Sequence, residues 1–135
     1  MIKILFGIFI VLHGIVHLLY FGQSARYFEL QPGMIWPDGS LVFSKNLGVT
    51  ANRTVASICL VLAAVGFVAS GVGILTGQPW WRPMLVGSAV FSSVIFILFW
   101  DGVLQSLDNK GGVGLLINLA VLAALFIFQW LDFNF

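Results

Sequence analysis

The chain alternates between long apolar runs and shorter connections rich in Gly, Pro and polar residues. Four runs stand out: Ile2 to Phe21, Thr54 to Thr76, Pro83 to Trp100 and Val113 to Leu131. A hydrocarbon core about 30 Å thick is crossed by about 20 apolar residues in a helix, and each run is close to that length. None contains an acidic residue, and Lys3, at the edge of the first, is the only basic one. Its stem can carry the ammonium to the interface. Because the runs are uniformly apolar, whereas barrel strands alternate in polarity over about 10 residues, they predict helices. The expected fold is all-α, an integral-membrane antiparallel four-helix bundle forming a single transmembrane domain over residues 1–135.

The connections differ in length. Residues 77–82 and 101–112 hold the Gly, Pro, Asp and Asn of tight turns, so helices two, three and four are expected to be sequential antiparallel neighbours. The first connection, residues 22–53, is longer than a bundle needs and contains Tyr27-Phe28, Trp36-Pro37-Asp38-Gly39 and Leu41-Val42-Phe43. A connection of that size usually has structure or a function of its own. It is expected to turn at Pro37-Asp38-Gly39 and to cap one end of the bundle, or to anchor in the membrane surface. Four crossings place both termini and the 77–82 turn on one side, with the two longer loops on the other. Trp80, Trp81 and Trp130 would mark the first interface, and Tyr20, Trp36 and Trp100 the second. Four of the six basic residues fall on the loop side, but so do Glu29, Asp38, Asp101 and Asp108, which leaves the direction of insertion open.

Composition agrees with burial in lipid. Of 135 residues, 60% are hydrophobic and 8% charged, with a mean hydropathy of +1.06; that is too little polar surface to coat a water-soluble domain. Net charge is +1 and the basic residues are scattered singly, so no patch could neutralise a run of phosphates and no nucleic-acid partner is expected. The lone Cys59 excludes an intrachain disulfide or a CxxC redox centre. Lys3 and the apolar run after it resemble a secretory signal, but the run continues to Phe21, longer than a usual signal core, and is expected to be kept as a span.

In lipid, small residues mark the places where helices approach closely. Ala56, Cys59, Ala63, Gly66, Ser70 and Gly73 step by three and four along helix two and predict a packing seam. Gly7 and Gly14, Gly87, Ser88 and Ser92, and Gly114, Ala120, Ala123 and Ala124 offer similar surfaces on the other helices.

Strongly polar side chains inside a span are costly and so point to function. His13 and His17 are spaced i, i+4, which puts both imidazoles on one face of helix one, with Gly14 between them. Ser57, Cys59, Asp101 and Asn118 should share the loop-side half, with Ser92 and Ser93 near the middle. This asymmetry predicts a pocket open to the loop side, with His13, His17, Asn118, Asp101, Tyr20 and Trp36 as candidate ligand-binding residues. Four readings of the histidines stand side by side. They could bind a metal, which needs a further ligand from Asp101 or Cys59. They could serve a haem, which neighbouring turns of one helix cannot hold from both faces. They could act in proton-coupled transport or ligand binding. They could also simply hydrogen-bond between helices, for instance to Asn118. No GxSxG, P-loop or HExxH motif is present, and no catalytic residue is predicted.

Leu12-His13-Gly14 in the first span, the glycine-rich end of helix two from Gly66 to Gly73, Arg82-Pro83 at the entry to helix three and a short fourth span together resemble the DoxX-like group of small four-helix bacterial membrane proteins. The long aromatic loop departs from the shorter connection of that group. The resemblance implies the four-helix fold and, through members associated with quinone-linked sulfur oxidation, a quinone as one candidate ligand. Small multidrug transporters with four helices use a membrane glutamate in the first span, which this chain lacks. The resulting expectation is a protein of the cell membrane that binds a small amphipathic ligand, a quinone or a lipid, in a loop-capped polar pocket. The alternatives are an accessory subunit of a larger membrane complex and a small oligomeric transporter.

Overall fold

In a computed structural model, which describes residues 1–127 and 129, the chain is all-helical. Helix α1 spans Ile2–Ser24, α2 spans Ser44–Thr76, α3 spans Trp81–Leu98 and α4 spans Gly112–Phe126, with a 3-10 turn at Leu107–Lys110 before α4. By length and composition α1, α2 and α3 are able to cross a membrane. Of the expected fourth span, the described residues show 15 in a helix, about 22 Å of rise, which by itself is short of a bilayer core. The rest of that expected span, residues 128, 130 and 131, and with it the proposed belt residue Trp130, lies outside the described residues.

A correction concerns the first connection, which runs over residues 25–43 and not 22–53. Residues 44–53 are polar, so hydropathy reads them as loop, yet they are helical apart from a break at Gly48. Gly48 has φ 75° and ψ 166°, a conformation that side-chain-bearing residues rarely adopt. Hydropathy measures where a helix leaves an apolar surrounding, not where the helix stops. At the other end of α2, Gln78 N donates to Gly73 O and Gly77 N to Ile74 O, with Gly77 left-handed at φ 73°. Only glycine takes that conformation cheaply, and the pair of bonds is a Schellman stop.

Close approach explains how α1 and α2 pack. A Cβ on Gly71 would lie 2.7 Å from Gly7 O, and one on Gly14 would lie 2.9 Å from Phe67 Cβ and 3.0 Å from Ala64 O. The surface that α2 turns to α1 is therefore Ala64, Phe67 and Gly71. Gly66 and Gly73 from the predicted seam instead meet α3, where their Cβ positions would approach Ser88 Oγ and Trp81 Cβ. Trp81 is buried against Leu85 and Leu125 in one apolar cluster, and Tyr20 and Trp36 are buried with Leu60 and Phe99 in another. Three of the supposed interface aromatics thus point inward.

Residues 25–43 fold against the end of α3. Trp36 Nε1 donates to Phe99 O at 3.1 Å, Ser40 Oγ to Leu98 O at 2.7 Å and Leu41 N to Trp100 O at 3.0 Å. The first two, Leu98 O and Phe99 O, are carbonyls that a helix end leaves without partners. Gln23, completely buried, joins the same segment to α1: its Nε2 donates to Met34 O and Trp36 O, and its Oε1 accepts from Leu30 N. A turn occupies residues 36–39, as the Pro-Asp-Gly sequence predicts.

Candidate functional site

Helix periodicity places both histidines on the inner face of α1, where His13 and His17 are buried. Phe67 of α2 lies against them, its ring centroid 4.7 Å from that of His13 and 5.0 Å from that of His17. It can come so near because Gly14 has no side chain to hold α2 away.

Four hydrogen bonds, one within α1 and three between helices, then join α1, α3 and α4 into one network. His17 Nδ1 contacts His13 O at 2.9 Å, His17 Nε2 contacts Ser92 Oγ at 2.7 Å, Asn118 Nδ2 donates to Ser92 Oγ at 3.0 Å, and His13 Nε2 contacts Asn118 Oδ1 at 2.8 Å. One group fixes the direction of all four. A backbone carbonyl only accepts, so His17 carries its proton on Nδ1. In the neutral ring Nε2 is then an acceptor, and Ser92 must donate to it. With its proton committed there, the Ser92 oxygen accepts from the Asn118 amide, which leaves Asn118 Oδ1 to accept from His13 Nε2–H. The opposite amide orientation would set two lone pairs against each other at the His13 carbonyl. Donor and acceptor roles are therefore assigned through the network and not by any single contact.

The chain of bonds leaves one lone pair over, on His13 Nδ1, which enters no hydrogen bond among the described residues. A cleft of about 240 Å3 separates α1 from α4. Both histidines and Tyr20 line it together with the apolar Phe9, Val16 and Ile117. A neutral imidazole nitrogen without a partner can accept a hydrogen bond from a hydroxyl or N–H group.

The structure brings His13, His17 and Asn118 together and adds Ser92, which the sequence suggested only as a mid-depth serine. A serine on a small-residue face reads as packing, and nothing in the sequence shows that it sits between an amide and an imidazole. Phe67 had no signal at all, since an aromatic in an apolar helix is ordinary. Tyr20 lines the cleft, but its hydroxyl donates to Asp108 O at 3.1 Å. Trp36 stands one ring farther out, 6.1 Å from Tyr20 between centroids. Asp101 is outside the network: its Oδ2 is 2.8 Å from Lys110 Nζ and its Oδ1 accepts from Val103 N. Among the described residues no three His, Cys, Asp or Glu side chains gather into a metal-binding group. Asp101 and Cys59 thus do not complete a ligand set with the histidines.

No family model matches the chain, and no curated protein or solved structure matches it.

Proposed function

We propose that the chain is an integral protein of the cell membrane, an antiparallel four-helix bundle whose 25–43 segment caps one end, and that its cleft binds the polar head of a small amphipathic ligand of the quinone or lipid class. The membrane reading is supported by the three long apolar helices and by exposed leucines and isoleucines along α1, such as Leu5, Leu12 and Leu19. Opposed helix directions are supported by contacts of Gly7 with Gly71, Gly14 with Ala64 and Ser24 with Ser57. The DoxX-like resemblance of Leu12-His13-Gly14 and Arg82-Pro83 belongs to the same reading.

The observation that carries the ligand proposal is that His13, whose Nδ1 makes no hydrogen bond among the described residues, lines an apolar cleft. In hydrocarbon an unused acceptor is costly, and a ligand hydroxyl removes that cost. A quinol or a lipid alcohol donates such a hydrogen bond; a quinone carbonyl only accepts one. The reduced carrier is therefore the form this nitrogen selects. The test is native mass spectrometry of the detergent-extracted full chain, alone and with added short-chain ubiquinol. Retention of the quinol by the parent protein and its loss in His13→Ala support the proposal. Binding of equal strength in both proteins, or in neither, counts decisively against it.

The accessory-subunit reading draws on a different feature, an apolar groove of about 560 Å3 along α3 and α4 lined by Ile97, Trp100, Leu104 and Leu116. Exposed apolar grooves are common docking surfaces. On that reading a partner co-purifies with the chain, and association survives His13→Ala.

A further inference from the structure

A second cavity, separate from the histidine cleft, lies where α1 ends and the polar first turns of α2 begin. Its volume is about 330 Å3, and Phe21, Ser24, Thr50, Arg53, Ser57 and Ile58 line it. The distribution of charge beside it is uneven. Asp38 faces two guanidinium groups. Arg26 Nη2 is 2.8 Å from Asp38 Oδ1, and its nitrogens also donate to the carbonyls of Gln23, Ile35 and Trp36. Arg26 is thereby spent on holding the 25–43 segment.

Arg53 Nε lies 3.5 Å from the same carboxylate oxygen, and this buried Nε makes no hydrogen bond. Its two terminal nitrogens are committed to no group among the described residues. One carboxylate cannot neutralise two guanidiniums, so a positive charge is left over at the cavity. The backbone that carries it is fixed, because Ser24 Oγ donates to Arg53 O at 3.2 Å and pairs with Ser57 Oγ at 2.8 Å. The Thr50 hydroxyl, one helical turn away, has no partner among the described residues, whereas that of Thr54 donates to Thr50 O.

A guanidinium fork with both ends open can hold two oxygens of a phosphate or a carboxylate, and a neighbouring hydroxyl supplies a third donor, which suits the additional oxygens of a phosphate. We infer that this cavity binds a phosphate-bearing anion, held by the terminal nitrogens of Arg53 and the hydroxyl of Thr50. Phe21 and Ile58 flank the polar groups, so a phospholipid could lay its acyl chains along them while its headgroup meets Arg53. Free phosphate presents the same oxygens without the chains. The lipid source depends on the membrane reading; the anion chemistry does not.

The full chain in detergent is titrated separately with phosphatidylglycerol, phosphatidylcholine and inorganic phosphate, following lipid adducts by native mass spectrometry and phosphate by calorimetry. Arg53→Gln should weaken binding of the anionic probe by about tenfold or more. Lys45→Gln, which removes an exposed cation of α2 outside the cavity, should change it by less than about twofold. Thr50→Ala should cost about threefold, and Arg53→Lys should keep part of the affinity. Binding of phosphatidylglycerol but not inorganic phosphate identifies a lipid headgroup, and Arg53-dependent binding of both identifies the anion itself. The inference is overturned if Arg53→Gln loses no more than Lys45→Gln, or if phosphatidylcholine binds as well as phosphatidylglycerol. Should Arg53→Gln fail to fold, unchanged binding in both Thr50→Ala and Arg53→Lys overturns it equally.

Discussion

Asn118 donates from Nδ2 to Ser92 Oγ at 3.0 Å while its Oδ1 accepts from His13 Nε2 at 2.8 Å, so one side-chain amide ties α4 to both α3 and α1. Hydrogen bonds between membrane helices average only about 0.6 kcal/mol. Removing this amide is worse than losing an average bond, because it strands a donor on His13 and an acceptor on Ser92 in a buried site. Asn118→Ala is expected to destabilise the fold by about 1 to 3 kcal/mol. Ser92→Ala already lacks one of the two stranded partners, so the double variant should cost less than the sum of the singles. Unfolding by sodium dodecyl sulfate, followed by circular dichroism for all four proteins, measures both effects. Strict additivity would show that the amide and hydroxyl do not act as one unit.

The network also dictates where the imidazole protons sit. Since the His13 carbonyl can only accept, His17 should be the Nδ1–H tautomer and His13 the Nε2–H tautomer. Nitrogen-15 chemical shifts of ring-labelled protein separate the two forms directly. In Ser92→Ala the His17 assignment should hold, because its anchor is backbone, and the His13 assignment should also hold through Asn118. Finding His17 protonated on Nε2 in the parent protein would overturn the assigned direction of all four bonds.

Much of this was legible from sequence, and the boundary is physical. A run of apolar residues announces a helix because hydrocarbon admits little else, and polar residues inside it announce inward-facing groups; α1 and its inward histidines follow from those two facts, while a bond to Asn118 is only one of the pairings they allow. The start of α2 did not follow, since residues 44–53 are polar and helical at once. The α1-facing surface of α2 was missed for another reason. Spacing in one helix gives a stripe of small residues but not the partner that uses it, and Gly71 lies off the stripe of Ala56, Cys59, Ala63, Gly66, Ser70 and Gly73. Ser92 and Arg53 depend on contacts between distant segments, which no local pattern encodes.

Two glycines separate close approach from mere composition. At Gly14 a Cβ would come within 3.0 Å of Ala64 O and 2.9 Å of Phe67 Cβ, whereas at Gly87 nothing lies within 4 Å. Gly14→Ala must push α2 and Phe67 away from the histidines and should cost about 1 to 3 kcal/mol. Gly87→Ala fills open space in the interior of α3 and should be neutral or stabilising by up to about 1 kcal/mol. The same detergent unfolding assay distinguishes them by sign. Equal effects at both positions would mean that helix propensity, and not the α1 to α2 contact, governs the outcome.

Trp36 allows the contribution of the 25–43 segment to be split into a polar and an apolar part. Its indole is 2% exposed, packed with Tyr20 and Phe99, and its Nε1 satisfies the carbonyl of Phe99 at the end of α3. Trp36→Phe keeps most of the apolar volume but removes the donor, leaving that carbonyl without its indole partner; the expected loss is about 1 to 2 kcal/mol. Trp36→Ala removes the packing as well and should lose about 3 to 5 kcal/mol. Hydrogen exchange gives the location of the effect: amides of residues 98–100 and of the segment should exchange faster in both variants, and those of Ile10 and Phe67 in neither. If exchange instead rises uniformly along α1 and α2, the segment is part of the bundle's cooperative core and not a separately stabilised cover on α3.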